Sequence, residues 1–383
     1  MTIGFDAKRY FHNETGLGNY SRTFVNGLVQ LYPENQYILY NPKKSKHFQV
    51  PDSKNLKEIR PQAPVSKMFP ALWRSNWVTN DFKKRGLDLY HGLSHEIPVG
   101  INKMGIKSIV TIHDLIFERY PDQFKKIDVQ LYRRKFKYAC AHANRIIAIS
   151  TQTKNDLIDI YKVDERKIDI CFQSCHPAFA QETREAEKNR LRQQFQLPNT
   201  FFLYVGSIIE RKNLLTICKA MLLLNGDLKI PLVVVGNGKR YKENVKAFLA
   251  QNDLTSQVYF LSDQANNKNA LKNPYTLAGI YKLATALIYP SFFEGFGIPV
   301  LEALQAGLPV ITSNSSCLPE TGGSAALYVD PANSEELAAA MKQLYNDEML
   351  RNALVAKGKL QAKKFSLETC TNAVMDVYKK VVA

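Results

Sequence analysis

At 383 residues, with 45% apolar and 22% charged side chains, the chain exceeds one ordinary hydrophobic core and has the composition of a folded, water-facing protein of two domains. No run of about 18 apolar residues occurs, and the opening MTIGFDAKRYFHN soon turns polar, so neither a spanning helix nor a secretory signal is expected and a cytoplasmic location is favoured. The formal charge of +16 is uneven: residues 1–180 carry 28 Lys and Arg against 17 Asp and Glu (+11), and the remainder 23 against 18 (+5).

A basic first half suits anionic lipid headgroups or nucleic acid, or is simply a solvated surface. The six cysteines are scattered, without the two close pairs of a zinc site, which fits reduced thiols. Cys171, Cys175 and His176 are close in sequence but lack an evident fourth ligand, so no metal is expected.

In chain order, short β-branched or aromatic runs alternate with amphipathic stretches: TIGFD, helical NYSRTFVNGLVQL, YILY, DLYH, SIVTIH, a helix through YRRKFKYACAHA, and RIIAIS. That rhythm belongs to parallel βαβ units. Residues 68–85, MFPALWRSNWVTNDFKKR, mix apolar residues at helical spacing with cations; a core helix with a basic outer face is favoured over an interfacial helix. Periodicity lapses in CFQSCHPAFA, followed by the polar helical run ETREAEKNRLRQQF, which marks the domain join. The rhythm restarts with FFLYVGS, a helix from about Lys212, LVVVG, a helix from about Tyr241, VYFLS, a helix ending near Leu283, ALIYP, a short helix after Pro299, LPVITS and AALYV, before three closing helices. The expected architecture is α/β with two doubly wound domains, 1–178 and 179–365, whose ligands bind where strands end, in a cleft between the domains.

The residues after ALIYP run Ser291 to Gly297, then Ile298 and Pro299 at a helix start, with Glu302 near its first turn and Gly307 at its end. Gly295 and Gly297 admit close backbone approach, and Glu294 and Glu302 are placed to accept from sugar hydroxyls; nothing local calls for a carboxylate at 294. After FFLYV come Gly206 and then Arg211 and Lys212, two cations where a helix begins, which the helix macrodipole disfavours until an anion such as a diphosphate sits between them. Gly16 and Gly18, read as a loop after the first strand, offer amides to phosphate. His113, at the end of SIVTIH, is placed to donate to a sugar hydroxyl or to steady charge at an anomeric carbon.

Gly206-Ser207, Arg211-Lys212-Asn213, the Glu294 to Glu302 pair and PSFFEGFGIPVLEALQAGLPVITSNSSCLPETGG together resemble family 4 of the retaining glycosyltransferases, with GLGNY and TIHDL where that family has its N-terminal loop and cleft histidine. The resemblance implies the GT-B fold, with Arg211 and Lys212 on the donor diphosphate, the amides of Gly295, Phe296 and Gly297 on the donor sugar, and Glu294 on its hydroxyls. It also implies Glu302 on the ribose, Gly16 and Gly18 near phosphate and acceptor, His113 near the transferred sugar, and the last helix (366–383) packed back on the first domain. It further implies retention by same-face attack without metal or cofactor, the nucleotide sugar being a substrate and the acceptor a glycan or lipid-linked; the absence of any Asp-x-Asp pair is consistent with this. TIHDL with YPDQF looks most like mannosyltransferases of bacterial surface polysaccharide assembly, which favours GDP-mannose, with the base read near Leu261, Ser262 and Asp263. Where many relatives have Asn-Gly at the domain join, this chain has Ser174, Cys175, His176 and Pro177. The alternatives are a UDP-sugar transferase, a nucleotide-sugar 2-epimerase of the same fold, and a non-enzymatic basic protein; peripheral contact with an anionic membrane stays open beside a plain solvated surface, and nucleic acid is not expected.

Overall fold

The computed structural model describes residues 1–46, 48–264 and 267–383, apart from the side chain of Lys268. The chain divides into two compact units, Met1–Ser174 with Ser366–Ala383, and Cys175–Phe365. The division falls earlier than the expected 178/179 because Pro177–Phe179 forms a 3-10 turn whose Phe179 packs on Tyr281, ring centroids 5.2 Å apart, within the second unit.

In the first unit seven strands, β1 (Thr2–Asp6), β2 (Gln36–Tyr40), β3 (Leu56–Ile59), β4 (Leu89–Gly92), β5 (Lys107–Ile112), β6 (Arg145–Ala148) and β7 (Ile168–Ile170), pair in the order β3-β2-β1-β4-β5-β6-β7. All neighbours are parallel, as crossover helices require. The two strands without a clear sequence signal, LKEI and IDI, are both edge strands, where short and charged segments suffice. Residues alternate between two cores: Ile3, Phe5, Leu89, Ile109 and Ile147 face one, Tyr90, Val110, Ile112, Ile146 and Ala148 the other.

The expected helix across 68–85 is broken instead. Helices Pro64–Met68 and Pro70–Leu72 are followed by a π turn, Trp73–Trp77, and helix Thr79–Lys84. Pro70 has no amide to continue the preceding helix, so the chain restarts there. Trp73, Val78 and Phe82 enter the core, whereas Val65, Met68, Phe69 and Leu72 remain exposed.

The C-terminal helix, Leu367–Val382, returns to the first unit and contributes Val374, Met375, Val377, Tyr378 and Val381 to the core that holds β1. Helix Gly16–Leu31 approaches it so closely that a Cβ at Gly27 would lie 2.8 Å from Leu367 Cδ1 and Thr371 Oγ1. Buried polar groups fix the register: His91 on β4 lies 2.5 Å (Nδ1) from Tyr378 Oη and 2.8 Å (Nε2) from Thr111 Oγ1, and Tyr32 donates to Asn372 Oδ1 at 2.8 Å.

In the second unit β8 (Phe202–Val205), β9 (Leu232–Val235), β10 (Val258–Phe260), β11 (Ala286–Tyr289), β12 (Val310–Ser313) and β13 (Ala326–Val329) pair in parallel in the order β10-β9-β8-β11-β12-β13. β8, β9, β11 and β12 are buried throughout, the pattern of strands covered by helices on both faces. Each sheet reverses its winding once, between β1 and β4 and between β8 and β11. Chain leaving those neighbouring strand ends diverges to opposite faces and opens a crevice where ligands of such sheets bind.

Tyr378→Phe should destabilise the first unit by about 1–2 kcal/mol, because the His91 ring loses a buried partner. A lowered urea midpoint measures this; an unchanged midpoint would mean that the bond contributes nothing net.

Candidate active site

Because β8 and β11 are neighbours, their exits bring two segments about 80 residues apart in sequence into contact. The chain leaves β8 through Gly206, whose φ of 153° suits glycine and where a Cβ would lie 3.2 Å from Lys212 Cδ. It then forms a 3-10 turn, Glu210–Lys212, so Arg211 and Lys212 precede helix Leu214–Leu224 rather than beginning it. Asn213, in the left-handed region at φ 61°, donates through Nδ2 to the Pro290 carbonyl at 3.0 Å and the Pro331 carbonyl at 2.6 Å. The Arg211 carbonyl in turn accepts from Phe292 N (2.9 Å) and Ser291 Oγ (3.1 Å). The turn is thereby tied to the loop after β11.

Those ties hold two cations against one carboxylate. Glu294 Oε1 lies 3.0 Å from Arg211 Nη1 and 3.2 Å from Lys212 Nζ, and it accepts from Tyr289 Oη (2.8 Å) and Ser291 Oγ (2.9 Å). Lys212 Nζ also donates to Tyr289 Oη at 2.5 Å, and Arg211 to the Phe293 carbonyl. Burial alone would raise the Glu294 pKa, but Lys212, Arg211 and the two hydroxyls bring it down to about 2. Sequence reasoning left an anion to be supplied for the cations and saw nothing local requiring a carboxylate at 294. The protein supplies that anion itself, through a strand neighbour that local sequence does not specify. Tyr289 was missed and Ser291 was given no role of its own; Tyr289 reads as the last residue of an apolar strand, and only its polar tip hinted at a role.

Beyond Glu294 the backbone turns at Gly297, with φ 96° and a would-be Cβ 2.8 Å from Leu318 Cδ2, so both conformation and packing require glycine. Gly295 and Phe296 are buried in this turn, and the Phe296 carbonyl accepts from Thr321 Oγ1. Helix Ile298–Ala306 then begins with Pro299 in its first turn and ends at Gly307, φ 70°. Glu302 sits in the second turn, not the first, so it does not serve as a helix-terminal charge. It accepts from Tyr281 Oη at 2.8 Å, and burial raises its pKa to about 7 against the opposing effects of Tyr281 and Lys212. Ser262 Oγ accepts from Gly236 N at 3.1 Å, while Asp263 pairs with Lys242 and with Lys246 (2.6 Å).

The remaining expected residues lie in the first unit. Gly16 and Gly18 are not a loop: they fall in the first turn of helix Gly16–Leu31. Asn13 Oδ1 accepts from Thr15 N (2.9 Å) and Gly18 N (3.1 Å), which seeds the helix early, and the Gly18 amide also reaches the Thr15 carbonyl at 2.9 Å. A Cβ at Gly18 would lie 1.8 Å from the Asn13 carbonyl oxygen, whereas Gly16 faces open space. His113 is 4% exposed and lies edge-on to Tyr20, centroids 4.7 Å apart. Its Nε2 is 2.9 Å from the Leu93 carbonyl and its Nδ1 2.7 Å from Gln173 Nε2, so neither nitrogen is left for the expected donation to a sugar hydroxyl. Burial and Arg9, opposed by the Leu93 carbonyl, lower its pKa to about 4.

Sequence separation also concealed a charge cluster in this unit: Arg74 binds both oxygens of Asp6 through Nε (3.0 and 2.9 Å), and Arg74 (3.0 Å) and Lys135 (3.1 Å) meet on Glu96. The cysteine and histidine near the join diverge, Cys171 entering the first unit's core while His176 Nδ1 accepts from Ala178 N at 3.2 Å in the second.

Glu302, with its folded pKa raised from 4.5 to about 7, contributes stability below about pH 4.5 that is lost as pH rises through 7. Glu302→Gln, which mimics the protonated acid, should therefore melt higher than wild type at pH 8, by up to about 3 kcal/mol, with the gap closing towards pH 5. Melting curves with equal spacing at both pH values would contradict this.

The family "Glycosyltransferase Family 4" matches residues 15–171 and "Glycosyl transferases group 1" matches residues 185–361. O-antigen chain mannosyltransferase B of Escherichia coli is 26% identical over 395 aligned positions, which cover 99% of this chain and 100% of that one. The O-antigen chain mannosyltransferase RfbU of Salmonella typhimurium (strain LT2) is 27% identical over 68% of this chain and 65% of its own length. Among solved structures, a glycosyltransferase from Rickettsia africae ESF-5 superposes with a TM-score of 0.75 at 17% identity, covering 100% of this chain and 98% of that one. HepE of Anabaena, in complex with UDP-glucose, gives 0.74 at 14% identity, covering 99% of this chain and 100% of that one. The fold is GT-B, and with one glycosyltransferase family matching each half, the chain belongs to the family 4 glycosyltransferases.

Proposed function

We propose that this protein transfers a hexose, mannose from GDP-mannose in the favoured reading, to a glycan or lipid-linked acceptor in bacterial surface polysaccharide synthesis. The observation that carries the reading is the pair Arg211 and Lys212, fixed on Glu294 at the switch point of the second sheet. A donor diphosphate brings anionic oxygens to both cations, with Arg211 forked and Lys212 a point charge. The four contacts on Glu294 converge on Oε1, which leaves Oε2 to accept from a sugar hydroxyl. As the bond from the anomeric carbon to the phosphate oxygen breaks, charge grows on the leaving diphosphate, where two preorganised cations stabilise it without a metal. The acceptor oxygen bonds to the same face of that carbon and its proton passes to the leaving phosphate, which retains configuration. Glu302 takes the ribose, the amides of Gly295 to Gly297 the donor sugar, and the turn at Leu261–Asp263 the base. The first unit takes the acceptor, with Gly16 and Gly18 near it and near the phosphate, and His113 beside the transferred sugar.

The names of the E. coli and Salmonella relatives support mannose and an O-antigen-like product. The UDP-glucose complex of HepE supports a UDP-sugar as the second reading. Melting-temperature shifts with GDP, UDP, ADP and their sugars decide between them, since a ligand of the native state raises the melting point. GDP-mannose should give the largest shift. Arg211→Ala should abolish that shift and lower transfer by about a hundredfold or more, and EDTA should change neither. A retained shift, an inverted product, a metal requirement or epimerisation of the donor without acceptor would each overturn the corresponding part of the proposal.

A lipid-linked acceptor would bring the first unit to the inner face of the cytoplasmic membrane. No described helix is long and apolar enough to cross a membrane. Yet Val65, Met68, Phe69 and Leu72 are exposed, and helices Pro64–Met68 and Pro70–Leu72 bury none of their residues. Ile127 and Leu131, also exposed, lie two turns and one turn before Lys135, whose contact on Glu96 is shared with Arg74 of the π turn. Lys67, Lys125, Lys126 and Arg134 border these side chains in sequence and are exposed, the charge that anionic headgroups require. The protein should sediment with vesicles of equimolar phosphatidylcholine and phosphatidylglycerol but not with phosphatidylcholine alone, and the triple variant Met68→Ser, Phe69→Ser, Leu72→Ser should bind about tenfold more weakly. Unchanged binding, or a dimer that the triple variant dissolves, would assign this face another partner.

A further inference from the structure

Gln173 lies in the segment where the sequence loses its periodicity, two residues before the chain enters the second unit. Cys171 N still pairs with the Ala148 carbonyl at 3.0 Å, so β7 effectively runs on to Cys171 and carries the chain to the carboxyl end of the sheet. From there Gln173, 4% exposed, reaches His113, which directly follows β5, two strands away across β6. The gap of about 10 Å between alternate strands is within reach of a segment crossing the strand ends with a long amide side chain.

The pairing fixes a proton. The Leu93 carbonyl at 2.9 Å can only accept, so the ring carries its hydrogen on Nε2. Burial disfavours the charged ring, so Nδ1 is a lone pair and accepts from the Gln173 amide N–H at 2.7 Å. The backbone is equally held: Thr153 Oγ1 donates to the His113 carbonyl at 3.1 Å, and His113 N donates to His95 Nδ1 at 3.3 Å. His95 itself sits at φ 67°, a strained conformation for a residue with a side chain, and stacks on Phe136 at 4.4 Å between centroids. An imidazolium would need a second acceptor at Nδ1, and Gln173 offers a donor there.

We propose that Gln173 is a positioning residue for glycosyl transfer, holding His113 as a neutral imidazole with its proton on Nε2. The role rests on the reading above that His113 lies beside the transferred sugar. There the anomeric carbon gains positive charge as the phosphate departs, and a neutral ring adds no opposing charge. A glutamine contributes what a glutamate of the same shape cannot, since a carboxylate at 173 accepts from Nδ1 and stabilises the imidazolium.

Nitrogen NMR of the 15N-histidine-labelled full chain, with the His113 signal identified by its loss in His113→Gln, reads the protonation state directly. At pH 7 wild type should show Nε2–H and a bare Nδ1, and Gln173→Glu should show both nitrogens protonated. With the donor and acceptor that wild type uses, Gln173→Glu should lower kcat by about tenfold or more while KM stays within about twofold. A His113 that remains neutral in Gln173→Glu, or a wild-type kcat beside a charged ring, overturns the proposal. His113→Ala with wild-type turnover sinks instead the reading of His113 on which it rests. Should Gln173→Glu fail to fold, Gln173→Leu carries the test: the Leu93 carbonyl keeps the proton on Nε2, so a lowered kcat beside a shifted Nδ1 resonance supports the positioning role, and a wild-type kcat with the wild-type Nδ1 resonance overturns it.

Discussion

Two cations and two hydroxyls meet on one oxygen of Glu294, and much of the second unit is arranged to make that meeting possible. A buried carboxylate by itself is costly, and so are an arginine and a lysine side by side. Each is tolerated because the others are there. The same arrangement leaves the cluster with a net positive charge and one carboxylate oxygen uncommitted, which is what a diphosphate carrying a polyhydroxylated sugar requires. The charges need not be created or reoriented when such a ligand arrives, and preorganisation of that kind is how an active site stabilises charge that develops during reaction.

The scaffold for this cluster is the winding of the sheet. Parallel strands force the chain to return by crossover, and where the winding reverses, neighbouring strand exits diverge and leave a crevice. β8 and β11 are those neighbours, and Asn213 ties their exits together by donating to Pro290. Beside the cluster glycine is needed at Gly206, with its φ of 153°, and at Gly297, pressed against Leu318. Opposite environments separate the two glutamates eight positions apart. Glu294 is held ionised by its cations, whereas burial raises Glu302, despite the Tyr281 hydroxyl that donates to it, to a pKa of about 7.

The first unit uses its strand ends differently. Instead of a cation pair it gathers imidazoles whose ring nitrogens are engaged by neighbours: His91 between Tyr378 and Thr111, and His113 between Leu93 and Gln173. Burial keeps both rings neutral, with their pKa values lowered to about 3 and about 4. One partner, Tyr378, comes from the C-terminal helix and the other, Gln173, from the chain just before it leaves the unit.

Local sequence determined a great deal. The alternation of β-branched runs with amphipathic helices specified two doubly wound sheets, because periodicity is set by which face of each element is buried. Pro299 and Gly307 marked the helix after Glu294 almost to the residue, since those two residue types answer to backbone geometry alone. The residues at 206, 211, 212, 294 and 302 stood out by their type and their place after a strand. Tertiary structure decided what these side chains do to one another. That Glu294 neutralises Arg211 and Lys212, that Tyr289 and Ser291 donate to it, and that Gln173 holds His113 depend on which strands are neighbours, and strand order is a long-range property. The helical start at Gly16, the breaks after Met68 and the edge strands β3 and β7 escaped for the converse reason. There a single side chain, a missing amide or a one-sided strand environment overrode the periodic signal, and no hydrophobic pattern records such local competition.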